Sequence, residues 1–127
     1  MPNGTWGVVE FLQLQWAKGA GAEWCLLDEV EVTEIDQYGV FVVWRAGDLA
    51  HAPVVLYVGH GSLRQKIADC RRDPIMRGST GLRITWAKVD PRDVGGVAAY
   101  LYQQLRPLWG EVLRSGAPRP VNLPMTG

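Results

Sequence analysis

Two short apolar runs near the middle of the chain predict a pair of neighbouring strands. The runs occupy residues 39–44 and 54–59, and both are rich in β-branched and aromatic side chains. A polar, proline-containing break separates them, so we expect antiparallel strands joined by a turn. The second run ends in a Gly-His-Gly corner at 59–61, after which Ser62 is suited to cap a helix beginning at Leu63. This stretch therefore predicts a hairpin that leads into a helix through a glycine-rich corner.

Three further elements complete the predicted framework. Residues 63–72 carry apolar side chains at helical spacing, and Pro74 ends this helix. Residues 82–89 predict a third strand, and residues 93–105 predict a second helix that Asp93 caps. Leu82, Ile84, Trp86 and Lys88 would share one face of the third strand, while Leu63, Ile67 and Cys70 of the first helix and Val94, Val97, Leu101 and Leu105 of the second would face inward.

The N-terminal part allows two interpretations. Val8, Leu12 and Trp16 have the spacing of a helical stripe, whereas residues 12–16 alternate as a strand does. We favour the strand, because a glycine-rich turn follows it. Residues 28–37 are acidic and without a sustained period, so we expect a connector whose apolar side chains touch the core.

The C-terminal part, from Pro107 onwards, is rich in proline and glycine and predicts an irregular tail. Leu108, Trp109 and Leu123 would pack this tail back onto the domain. A chain of 127 residues is long enough for one modest core. We therefore expect a single domain over 1–127, with its core at about 24–124 and an N-terminal extension at 1–23.

The fold class follows from these elements. We predict a small α/β domain of the α+β kind, with a central, mainly antiparallel three-stranded sheet flanked by helices. The strands would lie at 39–45, 54–59 and 82–89, and the helices at 62–72 and 93–105.

Charge is unevenly spread along a chain whose net charge is zero. Residues 1–61 carry two basic side chains against eight acidic ones, whereas residues 62–92 carry eight basic against three acidic. A neutral protein can therefore still present one positive face, as phosphate binding requires. An ordinary solvated helix face, neutralised by the acidic half, explains the same pattern.

Cysteine usage and hydropathy bear on the compartment. Cys25 and Cys70 are far apart and form no CxxC motif, so free thiols in a reducing cytoplasm are the simplest account. The N-terminus carries no charged-then-apolar leader, and no apolar run approaches the roughly 20 residues of a membrane span. We expect a soluble, cytoplasmic protein with no membrane partner.

The central stretch resembles a known superfamily. Gly39-Val40-Phe41 and Tyr57-Val58-Gly59 resemble the two tripeptides that name the GIY-YIG nucleases. Residues 61–67 are similar to the glycine corner and first helix of that superfamily, 82–89 to its third strand, and 96–101 with Pro107 to its second helix and the following proline. The resemblance covers roughly residues 38 to 110 and implies a GIY-YIG-like fold.

The resemblance also implies a chemistry that this chain matches only in part. GIY-YIG enzymes cut a phosphodiester with tyrosines from both tripeptides, an arginine on the first helix and a metal-binding glutamate on the second. Tyr57 matches the second tyrosine, whereas Phe41, Lys66 and Ala98 stand at the positions of the other three. His60 follows the second tripeptide, where a histidine could serve as a general base near neutral pH.

Three functional hypotheses follow. The first is a catalytically degenerate GIY-YIG-like domain that binds DNA or RNA through Arg64, Lys66, Arg71 and Arg72, with Trp86 or Trp109 stacking on a base if exposed. The second is an active nuclease that uses Mg²⁺ or Mn²⁺, with Tyr57, His60 and Lys66 as catalytic residues and Glu111 as a relocated metal ligand. The third is a protein interaction module without catalysis. Many members of the superfamily carry an asparagine after the helix-ending proline, and Asn122 could correspond to it. Because Asn122 lies far from Pro107, we interpret it as a packing residue of the tail.

Overall fold

The protein is a sheet with helices packed on both faces. The structure, a computed structural model, describes residues 11–19, 21, 23–78, 81–110 and 117–124. Its elements are β1 (Cys25–Leu26), a 3₁₀ helix (Val32–Glu34), β2 (Tyr38–Arg45), β3 (Val54–Ser62), α1 (Leu63–Arg72), α2 (Pro74–Arg77), β4 (Leu82–Lys88), α3 (Pro91–Leu105) and β5 (Trp109–Gly110). No helix in this described part is long and apolar enough to cross a membrane.

The sheet has the strand order β1-β4-β2-β3-β5. β2 is central and antiparallel to both β3 and β4, β1 is antiparallel to β4, and β5 is parallel to β3. The predicted α+β class and antiparallel centre are confirmed. The predicted count of three strands was wrong, because β1 and β5 extend the sheet at its two edges. Each has two residues, which is too short to produce an alternating pattern in the sequence.

Alternation along the central strands divides the core into two layers. Val40 and Val42 of β2 pack in one buried cluster with α3, whereas Phe41 and Val43 pack in the other with α1. We call the two surfaces of the sheet the α1 face and the α3 face after the helices that cover them. The helix residues predicted to face inward are buried, except that Leu105 is only partly buried.

The helix boundaries differ from the predicted ones in two places. α3 begins at Pro91, two residues earlier than predicted, because Asp90 rather than Asp93 is its cap and accepts a 2.9 Å hydrogen bond from the Arg92 amide. A short extra helix, α2, follows α1. Asp73 caps it by accepting from the Ile75 amide at 2.9 Å, so the pair Asp73-Pro74 ends one helix and starts another.

The predicted N-terminal strand was wrong for the described residues 11–19, and positions 8–10 lie outside the described part. This segment makes one isolated parallel bridge, between Leu12 and Val121. Side chains from distant parts of the chain hold it in place. The Asn122 amide bonds both backbone groups of Leu14, and the Thr85 hydroxyl donates to the Ala17 carbonyl at 2.7 Å.

The connector and the tail also show a mixed outcome. Val30 and Ile35 of the connector are buried, and Val32 packs against the same cluster, so all three touch the core as predicted. In the tail Leu123 packs against the core, and Val121 is buried with it. Leu108 and Trp109 return to the sheet through their backbones, since β5 pairs with β3 and the Leu108 amide donates to the Val55 carbonyl at 3.1 Å. Their side chains are 58% and 40% exposed, so the expected packing of these side chains is not observed.

Candidate nucleic-acid interface

Tyr57 lies on the α1 face in a stacked aromatic pair. Its ring and that of Phe41 have centroids 5.6 Å apart and planes inclined by 28°. Both rings lie over Gly59, where an added Cβ would come within 2.5 Å of the Phe41 ring and 2.7 Å of the Tyr57 ring. The glycine of the second tripeptide is therefore required by the packing of the two rings.

Lys66 reaches the same face from the first helix. Its aliphatic stem lies over Gly61, whose Cβ position would be 3.1 Å from Lys66 Cε. Gly61 has a φ of 125°, which L side chains rarely adopt, and this turns the chain from β3 into α1. The glycine corner thus positions Lys66 beside Tyr57, and both border one cavity of about 160 Å³.

The cavity also has an acidic side. Asp69 and Asp73 border it with Cys70. Asp69 Oδ1 accepts from Gln65 at 2.8 Å and from Arg72 at 2.6 Å. Burial, aided by the charge of Asp73, raises the pKa of the Cys70 thiol to about 12. The thiol is therefore protonated at neutral pH and is not a nucleophile.

His60 lies on the other side of the sheet. It pairs with Val40 in the β2–β3 ladder, and alternation directs its side chain to the α3 face with Val58. Both ring nitrogens are buried. The structure therefore brings Tyr57 and Lys66 together and separates His60 from them by the thickness of the sheet.

Ala98, at the position of the family glutamate, also lies on the α3 face. It is 3% exposed and packs in the apolar cluster that contains Val58 and Leu101. Glu111, the predicted alternative ligand, lies outside the described residues. Within the described ranges, no group of three or more His, Cys, Asp or Glu side chains is placed to hold a metal ion.

The arginines of α1 connect the helix to the acidic connector. Arg64 donates to the carbonyls of Thr33 and Ile35 at 2.9 and 3.2 Å. Arg71 likewise donates to the carbonyls of Leu27 and Val30, from two of its nitrogens. Each guanidinium has five N–H donors, so these two bonds use only some of them. Bonds to neutral carbonyls also do not neutralise the positive charge of the arginine. Arg72, which is 68% exposed, is paired with Asp69.

A second lysine on the α1 face was not among the predicted site residues. Lys88 is exposed and pairs with Gly39 of β2, which in turn pairs with Gly61 under the Lys66 stem. The two lysines therefore flank two glycines at one end of the sheet. The alternation of residues 82–89 placed Lys88 and Trp86 on one face of the strand. It could not show which strand pairs with residues 82–89, and so it could not show that Lys88 lies near Lys66.

Comparisons with protein-family models, with curated proteins and with solved structures find no match to this chain. The likeness to the GIY-YIG superfamily therefore stays a prediction, carried by the residues quoted above.

Proposed function

We propose that this chain is a GIY-YIG-like domain that binds nucleic acid through the basic side chains of its α1 face and no longer cleaves it. One observation carries the proposal. Tyr57 and Lys66 border the same cavity, whereas Ala98, at the position of the metal ligand, is buried on the other face of the sheet.

The loss of cleavage follows from the residues present. Phosphodiester hydrolysis needs charge neutralisation at the phosphate and activation of the attacking water. Phe41 has no hydroxyl, and Ala98 has no side-chain oxygen to offer a hard cation. Lys66 supplies a positive point charge but cannot make the bidentate hydrogen bonds that an arginine makes to a phosphate.

Binding has looser requirements than catalysis. Phosphate contacts depend on positive charge and tolerate variation in geometry. Lys66 and Lys88 flank the glycine pair, and Arg64 and Arg72 add exposed charge along α1. A phosphate backbone would contact Lys66 and Lys88 at this end of the α1 face.

The test is a salt series with matched variants. Binding to single- and double-stranded oligonucleotides is measured by fluorescence anisotropy for the wild type and for Lys66→Gln and Lys88→Gln. Each variant should weaken binding and reduce the slope of log K against log salt by about 1. Lys18→Gln is the control and should leave binding unchanged. Lys18 lies 4.5 Å from the centroid of the Trp24 ring, and this ring packs against the cluster on the α3 face, not the α1 face.

The same samples are run on a denaturing gel with Mg²⁺ and with Mn²⁺. Binding that weakens with salt while the oligonucleotides stay intact supports the proposal. Absence of binding at low salt contradicts it and favours the protein interaction module. Metal-dependent cutting contradicts the loss of cleavage.

A second candidate is an active phosphodiesterase with a relocated metal site, and the acidic side of the cavity favours it. Asp69 and Asp73 border the cavity that holds Tyr57 and Lys66, and carboxylate oxygens are the ligands that Mg²⁺ takes. Such an ion would offset the repulsion between these carboxylates and a phosphate. If cutting is seen, its loss in Asp69→Asn or Asp73→Asn would locate the metal here, whereas loss in Glu111→Ala alone would locate it in the tail.

A further inference from the structure

A polar cleft lies beside the end of β4, away from the Tyr57–Lys66 cavity. β1 pairs with β4 at Arg83 and Ile84, and the Leu27 amide donates to the Leu82 carbonyl at 2.8 Å. Farther along β4, the Ala17 amide of the N-terminal segment donates to the Trp86 carbonyl at 2.9 Å. A space of about 470 Å³ lies between this segment and the strand. We call it the β4 cleft; its lining residues include Gln13, Gln15, Gln37, Trp86, Ala87 and Lys88.

The lining combines three kinds of chemistry. Gln13, Gln15 and Gln37 are exposed, and each side-chain amide offers both hydrogen-bond donors and an acceptor. Trp86 is a half-buried aromatic, and Lys88 is the one charged residue among those that line the cleft in the described part of the chain. An apolar ligand would leave the amides poorly solvated, and a small inorganic anion would leave the amide oxygens and the face of the Trp86 ring unused. A planar heteroaromatic ring with a polar edge and an attached phosphate would use all three.

The cleft adjoins Lys66 and Lys88 on the α1 face. Lys88 borders the cleft and pairs with Gly39, which pairs with Gly61. Lys66 lies over Gly61. Since neighbouring strands are about 4.8 Å apart, the backbones of Lys88 and Gly61 are separated by about 10 Å. A strand whose phosphates contact Lys66 and Lys88 would therefore bring one of its bases to the mouth of the cleft.

We infer that the β4 cleft holds one unpaired nucleobase of a bound single strand, stacked on Trp86, with its edge on the glutamine amides and its phosphate on Lys88. This inference rests on the proposed nucleic-acid binding and adds to it a preference for single-stranded over fully paired substrate. Stacking on an aromatic side chain and hydrogen bonds to base edges are the means by which proteins recognise splayed bases.

The experiment uses a double variant, Gln13→Ala with Gln15→Ala, which changes two exposed side chains at the cleft. Gln103→Ala with Gln104→Ala is the matched control, since both of those glutamines are exposed on α3. The cleft variant should bind a short single-stranded oligonucleotide about tenfold more weakly, with an unchanged salt slope, because neutral amide contacts are lost and no ion pair is. Its binding to a duplex or to an abasic strand should equal that of the wild type. Thermal unfolding checks that both double variants are folded.

The failures of the two proposals are distinguishable. If the wild type binds oligonucleotides in a salt-dependent way and the cleft variant binds the single strand equally well, the cleft assignment is overturned and the proposed function stands. If no oligonucleotide binds, the proposed function fails, and the cleft is tested alone by titrating isotope-labelled protein with nucleoside monophosphates. Movement of the Gln13 and Gln15 side-chain amide signals would then support a base site, and unmoved signals would overturn it.

Discussion

Asn122 holds the N-terminal segment, and its removal tests how that segment is fixed. Its Oδ1 accepts from the Leu14 amide at 2.6 Å, and its Nδ2 donates to the Leu14 carbonyl at 2.9 Å. The Trp16 indole donates to the Asn122 carbonyl at 2.9 Å. Because Gln13 and Gln15 flank Leu14, the same bonds position one wall of the β4 cleft.

Asn122→Ala removes both side-chain bonds and leaves the backbone groups of Leu14 without these partners. Two neutral hydrogen bonds contribute about 2 kcal/mol together, and poor hydration of Leu14, which is only 9% exposed, adds to the loss. We expect the free energy of unfolding to fall by about 2–3 kcal/mol. For a chain of this length that lowers Tm by about 10 °C.

Urea unfolding followed by tryptophan fluorescence measures this change, and the hydrogen exchange of the Leu14 amide should accelerate with it. Asn122→Asp is the companion variant. Its carboxylate would face the Leu14 carbonyl, so its folded-state pKa should be raised above the unfolded value. The ionised form of the introduced aspartate is therefore disfavoured in the folded state. The loss of stability relative to the wild type should be larger at neutral pH than at a pH below the unfolded-state pKa of that aspartate. A loss in Asn122→Ala below about 0.5 kcal/mol would refute the role given to these bonds.

Three further predictions concern single positions. Ala98→Glu should destabilise the fold by about 3 kcal/mol or more, because it places a carboxylate in an apolar cluster, and it should not create metal-dependent cutting; a stable, cutting variant would contradict the placement of Ala98. In the native protein at pH 8, Cys70 should resist alkylation while the less buried Cys25 reacts. Mass spectrometry of timed samples measures the two alkylation rates, and equal rates would contradict the burial of Cys70. The hydrogen bond from the Arg92 amide and then that from the Arg92 side chain lower the pKa of Asp90, so the helix cap that Asp90 provides should be lost as pH falls through that lowered value. NMR titration of the Asp90 carboxyl should give a pKa below 3.8, and an ordinary value would contradict the cap.

Local elements could be predicted because their signals lie within a few residues. Alternation placed Ile84 and Trp86 on one face of β4, and helical spacing identified Leu63, Ile67 and Cys70 as the buried side of α1. The predicted helix cap at Asp93 failed because Asp90-Pro91, also a favourable start, lies three residues earlier. Adjacent start signals compete, and local sequence alone does not choose between them.

The position of His60 depended on where a strand ends. The apolar run stops at Gly59, which predicts a corner at His60. β3 instead continues to Ser62 and is paired with β2 without interruption from Tyr57 to Ser62. Alternation therefore extends to His60 and directs it to the α3 face. The continued pairing is a property of two strands and has no signal in the apolar pattern of one.

The sequence by itself determined the three long strands and the two long helices in chain order, and the side of each helix that faces the core. It also placed Tyr57 near Lys66, since one strand, a glycine corner and a helix turn join those two residues. Only the tertiary structure decided that Lys88 lies in register with the glycines beside Lys66 and that Ala98 lies on the α3 face of the sheet. It alone also decided that Asn122 hydrogen-bonds Leu14. These contacts join residues far apart in the chain. They depend on strand register and on the packing of helices against opposite faces of a sheet, which arise only when the whole core forms.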